Sequence, residues 1–149
     1  MHQLKYNKKP EVGIRIGELY AWQLIRSEGW VNPDLIIPIP LHPVRLKKRG
    51  YNQSEEISKG LASVLKLPVS TQHLIRTENT ESQTKKSRFA RYENLKDAFI
   101  IKNATELIQK HIILVDDVMT TGATVEACSN ELLKIEGLKI SICTLAYAE

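Results

Sequence analysis

The stretch Ile112-Ile113-Leu114-Val115-Asp116-Asp117-Val118-Met119-Thr120-Thr121-Gly122-Ala123-Thr124 decides how the rest of the chain is read. Four branched apolar residues in a row read as a strand buried on both faces, which is the pattern of a parallel sheet. Two carboxylates stand at its end. A Thr/Gly-rich turn then opens a helix whose buried stripe is Val125, Cys128, Leu132 and Ile135. Adjacent carboxylates at a strand end accept hydrogen bonds from a vicinal diol, while a helix N-terminus offers unpaired N–H groups and a favourable dipole to a phosphate. Gly122 permits close backbone approach, and Thr120, Thr121 and Thr124 add hydroxyl donors. A diol and a phosphate held on one loop describe a ribose 5-phosphate.

Outward from this stretch, the punctuation is that of an α/β protein. Ile16, Leu19, Tyr20 and Leu24 fall at helical spacing and predict an amphipathic first helix over residues 11–27. Residues 34–39, opened by Pro33 and closed by Pro40, read as a buried parallel strand. Ser54 is expected to cap a helix whose Ile57, Leu61, Val64 and Leu65 share one face and which Pro68 ends. Residues 69–75, 98–101, 111–116 and 139–147 read as further strands. Strands separated by helices imply right-handed crossovers and a mostly parallel sheet, with the ligand site beyond the carboxyl ends of the strands. Residues 77–97 are polar and poorly periodic, and a loop of that length predicts a flexible active-site flap carrying Lys85, Lys86 and Arg88.

Composition sets the outer limits. With 149 residues, 42% hydrophobic and 26% charged, one domain over residues 1–149 is expected, with enough chain to bury a core. The charge-free run from Leu35 to Leu41 is far short of the ~20 apolar residues of a membrane span. Met1 is followed by His2, Gln3, Leu4 and Lys5 rather than an apolar secretory segment, so a cytoplasmic location is expected. Cys128 and Cys143 form neither a disulfide framework nor a zinc ribbon and read as small buried hydrophobes. His42, His73 and His111 read as structural, and Trp22 and Trp30 as packing residues.

The net charge of +4 is mild, but its distribution is uneven. His42, Arg45, Lys47, Lys48 and Arg49 cluster without an acid, and Arg76, Lys85, Lys86, Arg88 and Arg91 form a second basic group. Such local charge suits a polyanion, either nucleic acid or a polyphosphate metabolite.

The 112–124 stretch closely resembles the PRPP-binding signature of type I phosphoribosyltransferases. Ile37-Pro38-Ile39-Pro40-Leu41-His42-Pro43 and Arg49-Gly50-Tyr51-Asn52-Gln53, with Gln83, Arg88, Arg91, Asn94, Ala98 and Phe99, are similar to blocks of the competence-associated ComF/GntX family of phosphoribosyltransferase-like proteins. The resemblance implies a type I phosphoribosyltransferase fold. In it Asp116 and Asp117 hold the ribose hydroxyls, while Thr120, Thr121, Gly122, Ala123 and Thr124 cradle the 5-phosphate. Arg49, Gly50, Asn52 and Gln53 belong to a loop over residues 40–53, between a strand and a helix, where such enzymes bind pyrophosphate, and Asp117 is the candidate catalytic group. It further implies Mg2+ held mainly by substrate, PRPP and pyrophosphate as ligands, and an unidentified nitrogenous acceptor. The activity implied is that of a glycosyltransferase in nucleotide metabolism. A non-catalytic PRPP-binding adaptor or sensor in DNA uptake, meeting single-stranded DNA or a helicase, is the rival expectation. ComF proteins commonly begin with a four-cysteine zinc ribbon, which this sequence lacks.

Overall fold

The structure is a computed structural model, and it describes residues 9–30, 32–77 and 98–147. The elements run α1 (Pro10–Arg26), β1 (Leu35–Pro38), α2 (Pro43–Arg49), α3 (Gln53–Leu65), β2 (Leu74–Arg76), β3 (Phe99–Ile101), a 3-10 turn (Ala104–Leu107), β4 (His111–Met119), α4 (Ala123–Leu132) and β5 (Lys139–Tyr147). β4 is the central strand of a three-stranded sheet in the order β1-β4-β5, parallel on both sides. Its Ile112, Ile113, Leu114 and Val115 are all buried because helices cover both faces. Burial of each such side chain is worth about 1.5–3 kcal/mol relative to exposure, so this run anchors the strand that carries the Asp pair.

One face packs Ile36, Ile113, Val115 and Cys143 against Ile57 and Leu61 of α3 and Ala21 of α1. The other packs Ile37, Ile112 and Leu114 under Val125, Cys128 and Leu132 of α4. Both cysteines are free and buried, and burial pushes the Cys143 thiol up to about 12. They are packing residues, as expected. The first helix forms where expected, but its contact stripe is different. Gly13, Gly17 and Ala21 are buried, whereas Leu19 is 57% and Trp22 52% exposed, so Trp22 is not the packing residue expected. The reason is close helix contact: a side chain on Gly17 would run into the Ile57 carbonyl of α3, and one on Gly60 into the Ile14 carbonyl of α1. Trp30 does pack against this core.

Four further expectations are corrected. Residues 69–75 do not add a strand to the main sheet: Val69 makes only an isolated parallel bridge to Ile36, and the chain then pairs Leu74–Arg76 antiparallel with β3 in a separate two-stranded sheet. The connection over residues 40–53 is no simple loop but contains α2, capped by His42, whose Nδ1 accepts the Val44 N–H at 3.2 Å. Ser54 is not the cap of α3; Asn52 is, accepting the Ser54 N–H at 3.2 Å. Finally, β4 does not stop at Asp116 but runs on to Met119, because β5 continues to pair with it through Tyr147. The 78–97 part of the expected flap, including Lys85, Lys86 and Arg88, lies outside the described residues. His73 and His111 serve as structural links, His73 between Ser70 and Glu106 and His111 to Ser141.

Candidate functional site

β1 ends at Pro38, opposite Val115, while β4 runs on. Asp116 and Asp117 therefore project past their neighbour into the crevice at the carboxyl end of the sheet, the place where open α/β sheets take ligands. Asp116 Oδ1 accepts the Asp117 N–H at 2.9 Å, and Asp117 Oδ1 accepts the Val118 N–H at 2.9 Å. Burial first, and then the neighbouring Asp117 charge, push the Asp116 carboxyl up to about 7. A further hydroxyl donor brought by a ligand favours the ionised form of such a carboxyl.

On one side of the pair lies the turn into α4. Gly122 takes φ 79 as the N-cap residue and supplies no side-chain cap. The left-handed conformation costs a side-chain-bearing residue roughly 1–2 kcal/mol, which is why glycine stands here. The first N–H groups of a helix have no intrahelical partner. Here, among the described residues, the Ala123 N–H meets the Thr121 hydroxyl at a long 3.5 Å. Thr121, Gly122 and Thr124 are half-buried around this turn, Ala123 is buried and Thr120 is exposed. The predicted residues 120–124 are thus gathered next to the Asp pair.

On the other side stands the connection from β1. Asn52 does two jobs, capping α3 and donating from Nδ2 to the Ile39 carbonyl at 3.0 Å, which ties the helix start to the end of β1. Arg49 Nη1 donates to Gln53 Oε1 at 3.1 Å. Gln53 is 2% exposed, and its Nε2 has no hydrogen-bond partner among the described residues. Gly50, at φ 88, is the left-handed residue that ends α2 and lets the chain turn into α3. Arg45 and Arg49 share the half-buried side of α2, while Lys47 and Lys48 are exposed. The four predicted pyrophosphate residues are therefore brought together by this connection.

Two residues, read from the sequence only as a helix cap and as part of a basic group, come to the site. Ser54 donates to Asp116 Oδ1 at 3.4 Å, linking the two sides of the crevice. Arg76, 8% exposed, lies with its guanidinium carbon 5.3 Å from the Phe99 ring centre. Burial and the charge of Arg45 pull its pKa down, while Asp116 holds it up. An arginine on a three-residue strand carries no local signal of burial; Ser54 follows the Arg-Gly-aromatic-Asn-Gln block directly, which was the available hint. A groove of about 440 Å³ between β3, the 3-10 turn and the end of α4 is lined by none of the predicted site residues. Among the described residues no group of three or more His, Cys, Asp or Glu is arranged to hold a metal ion, and no helix is long and apolar enough to cross a membrane.

Comparison with known proteins bears on this arrangement. Residues 2–149 match the model of the phosphoribosyl transferase domain. The chain is 34% identical over 137 residues to the DNA utilization protein YhgH of Salmonella typhi, covering 90% of this chain and 60% of that protein. It is 37% identical over 117 residues to competence protein F of Haemophilus influenzae, covering 78% and 51%. A crystal structure of adenine phosphoribosyltransferase superposes with a TM-score of 0.60 at 16% identity, over 95% of this chain and 72% of that one, which is a likeness of fold. With a parallel sheet flanked by four helices, and with relatives of this kind, the chain belongs to the phosphoribosyl transferase domain family, among its ComF-type, competence-associated members.

Proposed function

We propose that this chain binds PRPP with magnesium and transfers its phosphoribosyl group to a nitrogenous acceptor, releasing pyrophosphate. The observation that carries the reading is the convergence, at the carboxyl end of the sheet, of the Asp116–Asp117 pair, the α4 N-terminus and the Arg49–Gln53 connection. The pair takes the ribose diol. The Gly122 turn takes the 5-phosphate on the N–H groups that open α4, among them the Ala123 N–H, whose contact with the Thr121 hydroxyl is long and displaceable. Arg49 and the orphaned Gln53 amide meet the pyrophosphate, a donor-rich corner matched to an acceptor-rich group.

Magnesium favours oxygen ligands and retains much of its own hydration, so the diphosphate of the substrate supplies most of what it needs. When bound, it neutralises the leaving group. The residues of the chain orient the sugar and stabilise charge as the bond to pyrophosphate breaks and the anomeric carbon becomes oxocarbenium-like. Asp117, beside the diol, balances that positive charge or accepts the acceptor's proton. The test is turnover of PRPP with a panel of nitrogenous bases, read beside PRPP-dependent thermal stabilisation. Pyrophosphate release with one base supports the proposal; absence of any PRPP stabilisation overturns it.

A second reading, a non-catalytic PRPP-binding adaptor in DNA uptake, is favoured by the exposure of Lys47 and Lys48 on the outer side of α2 and by the names of the relatives. The chain spans 60% of the length of YhgH, so the activity and partners of a whole protein of that kind are part of the proposal. PRPP binding without pyrophosphate release from any base selects this reading.

A further inference from the structure

We infer that Ser54 is a positioning residue that fixes the orientation of the Asp116 carboxylate toward the ligand. The inference rests on the assignment of Asp116 to the sugar diol in the proposed function.

Ser54 is 4% exposed in the first turn of α3, and its backbone is held from both directions. Its N–H goes to Asn52 Oδ1 at 3.2 Å, and its carbonyl accepts the Ser58 hydroxyl at 2.7 Å. The Ser54 hydroxyl is therefore not spent on capping its own helix. It crosses instead to β4, 62 positions away in sequence, and donates to Asp116 Oδ1 at 3.4 Å. The Asp117 N–H reaches the same oxygen at 2.9 Å. Two donors on one carboxylate oxygen oppose rotation about the Cβ–Cγ bond and so hold the carboxylate in one orientation.

At 3.4 Å the serine contact is long for a hydroxyl and a carboxylate. The groups that face Asp116 are Asp117 on its own strand, Arg76 from β2, Cys128 from α4 and Ser54 from α3. Burial and the charge and side chain of Asp117 oppose the ionised carboxylate, while the Asp117 N–H and then the Ser54 hydroxyl favour it; Ser54 is the side-chain donor among them. A serine that only filled space would leave the titration of Asp116 where it is.

The experiment is carboxyl carbon-13 NMR of the ligand-free chain from pH 5 to 9, with calorimetry of PRPP and magnesium binding at pH 7.0 and 8.5. In Ser54→Ala the Asp116 midpoint is expected to rise by about half a pH unit, a modest effect for a long hydrogen bond to a charged group. PRPP affinity should fall about twofold at pH 7.0, the population effect of that rise, and recover at pH 8.5. Ser54→Thr keeps the hydroxyl and should restore the midpoint. If alanine at this buried position does not fold, Ser54→Cys keeps the size of the side chain while weakening the donor, and should move the midpoint in the same direction. An unchanged midpoint in the folded variant overturns the assignment of Ser54. Failure of the parent chain to bind PRPP at either pH sinks the functional reading instead, and the NMR arm still decides whether Ser54 sets the carboxylate.

Discussion

The turn from β4 into α4 and the connection from β1 into α3 flank the same crevice but are made of different material. The first is short: a strand, two carboxylates, a glycine at φ 79 and the open end of a helix, with backbone N–H groups as its binding elements. The second inserts α2 and works through side chains, since His42 and Asn52 cap helices, Arg49 holds Gln53, and Ser54 reaches Asp116. A backbone site tolerates changes of side chain as long as the chain path is kept. A side-chain site is broken one residue at a time.

The sharpest attack on this contrast is Asp116→Asn, which removes the charged acceptor shared by both sides. PRPP affinity should fall by roughly 1.5–3 kcal/mol, the worth of a hydrogen bond to a charged group, measured by calorimetry. Stability should move the other way. The folded-state pKa of Asp116, about 7, lies above the ordinary carboxylate value, so the folded chain keeps a proton that the unfolded chain has lost. The stability this confers is present at pH 4 and is lost as pH rises through about 7. The melting temperature of the ligand-free parent should therefore carry a downward contribution over that window which Asp116→Asn lacks, and the variant should melt higher than the parent at pH 7.5. Identical melting profiles for the two proteins would show that the carboxyl is not strained by burial.

Asn52→Ala addresses the side-chain arm. It removes the cap of α3 and leaves the Ile39 carbonyl unpaired, and the loss should be about 2 kcal/mol in chemical denaturation. A loss well under 1 kcal/mol would mean that the clamp between α3 and β1 is dispensable.

Arg49→Ala comes next. Loss of one charge-assisted contact should weaken PRPP binding about tenfold and leave affinity for single-stranded DNA nearly unchanged. If PRPP binding is intact while the slope of log K for DNA against log salt drops by about 0.7, one phosphate contact on a single strand, the adaptor reading takes precedence.

The smallest effect belongs to the backbone arm. In Gly122→Ala the new methyl group finds space, with Met119 Sδ at 3.9 Å as its nearest neighbour, so only the left-handed backbone opposes it. A cost of about 1 kcal/mol in stability is expected, with PRPP affinity nearly kept because alanine adds no bulk over the N–H groups. A collapse of binding would place the ligand against the Gly122 Cα itself.

The stretch proposed to take the ribose was legible as structure in the sequence because its parts are consecutive. A buried strand, two acids, a glycine turn and a helix stripe are neighbours along the chain, and periods of 2 and 3.6 report them directly. The extension of β4 past Asp116 was missed because Val118 and Met119 are held in the strand by their pairing with Ala146 and Tyr147, a long-range cause. The α1 stripe was misread for a related reason. Periodicity weighs large apolar residues, whereas this helix meets α3 through Gly13, Gly17 and Ala21, and close approach leaves Leu19 and Trp22 outside.

By itself, then, the sequence determined the parallel α/β class, the strand carrying Asp116 and Asp117, the glycine turn behind it and the basic connection after β1, all of them features carried by local pattern. Only the tertiary structure decided that Asn52 and not Ser54 caps α3, that Arg45 and Arg49 turn inward while Lys47 and Lys48 face solvent, and that Ser54 and Arg76 come to Asp116 from separate elements. The physical reason is that capping and propensity act over three or four residues, whereas the partner of a buried polar group is chosen by how whole elements pack, and no period along the chain encodes a contact across 62 positions.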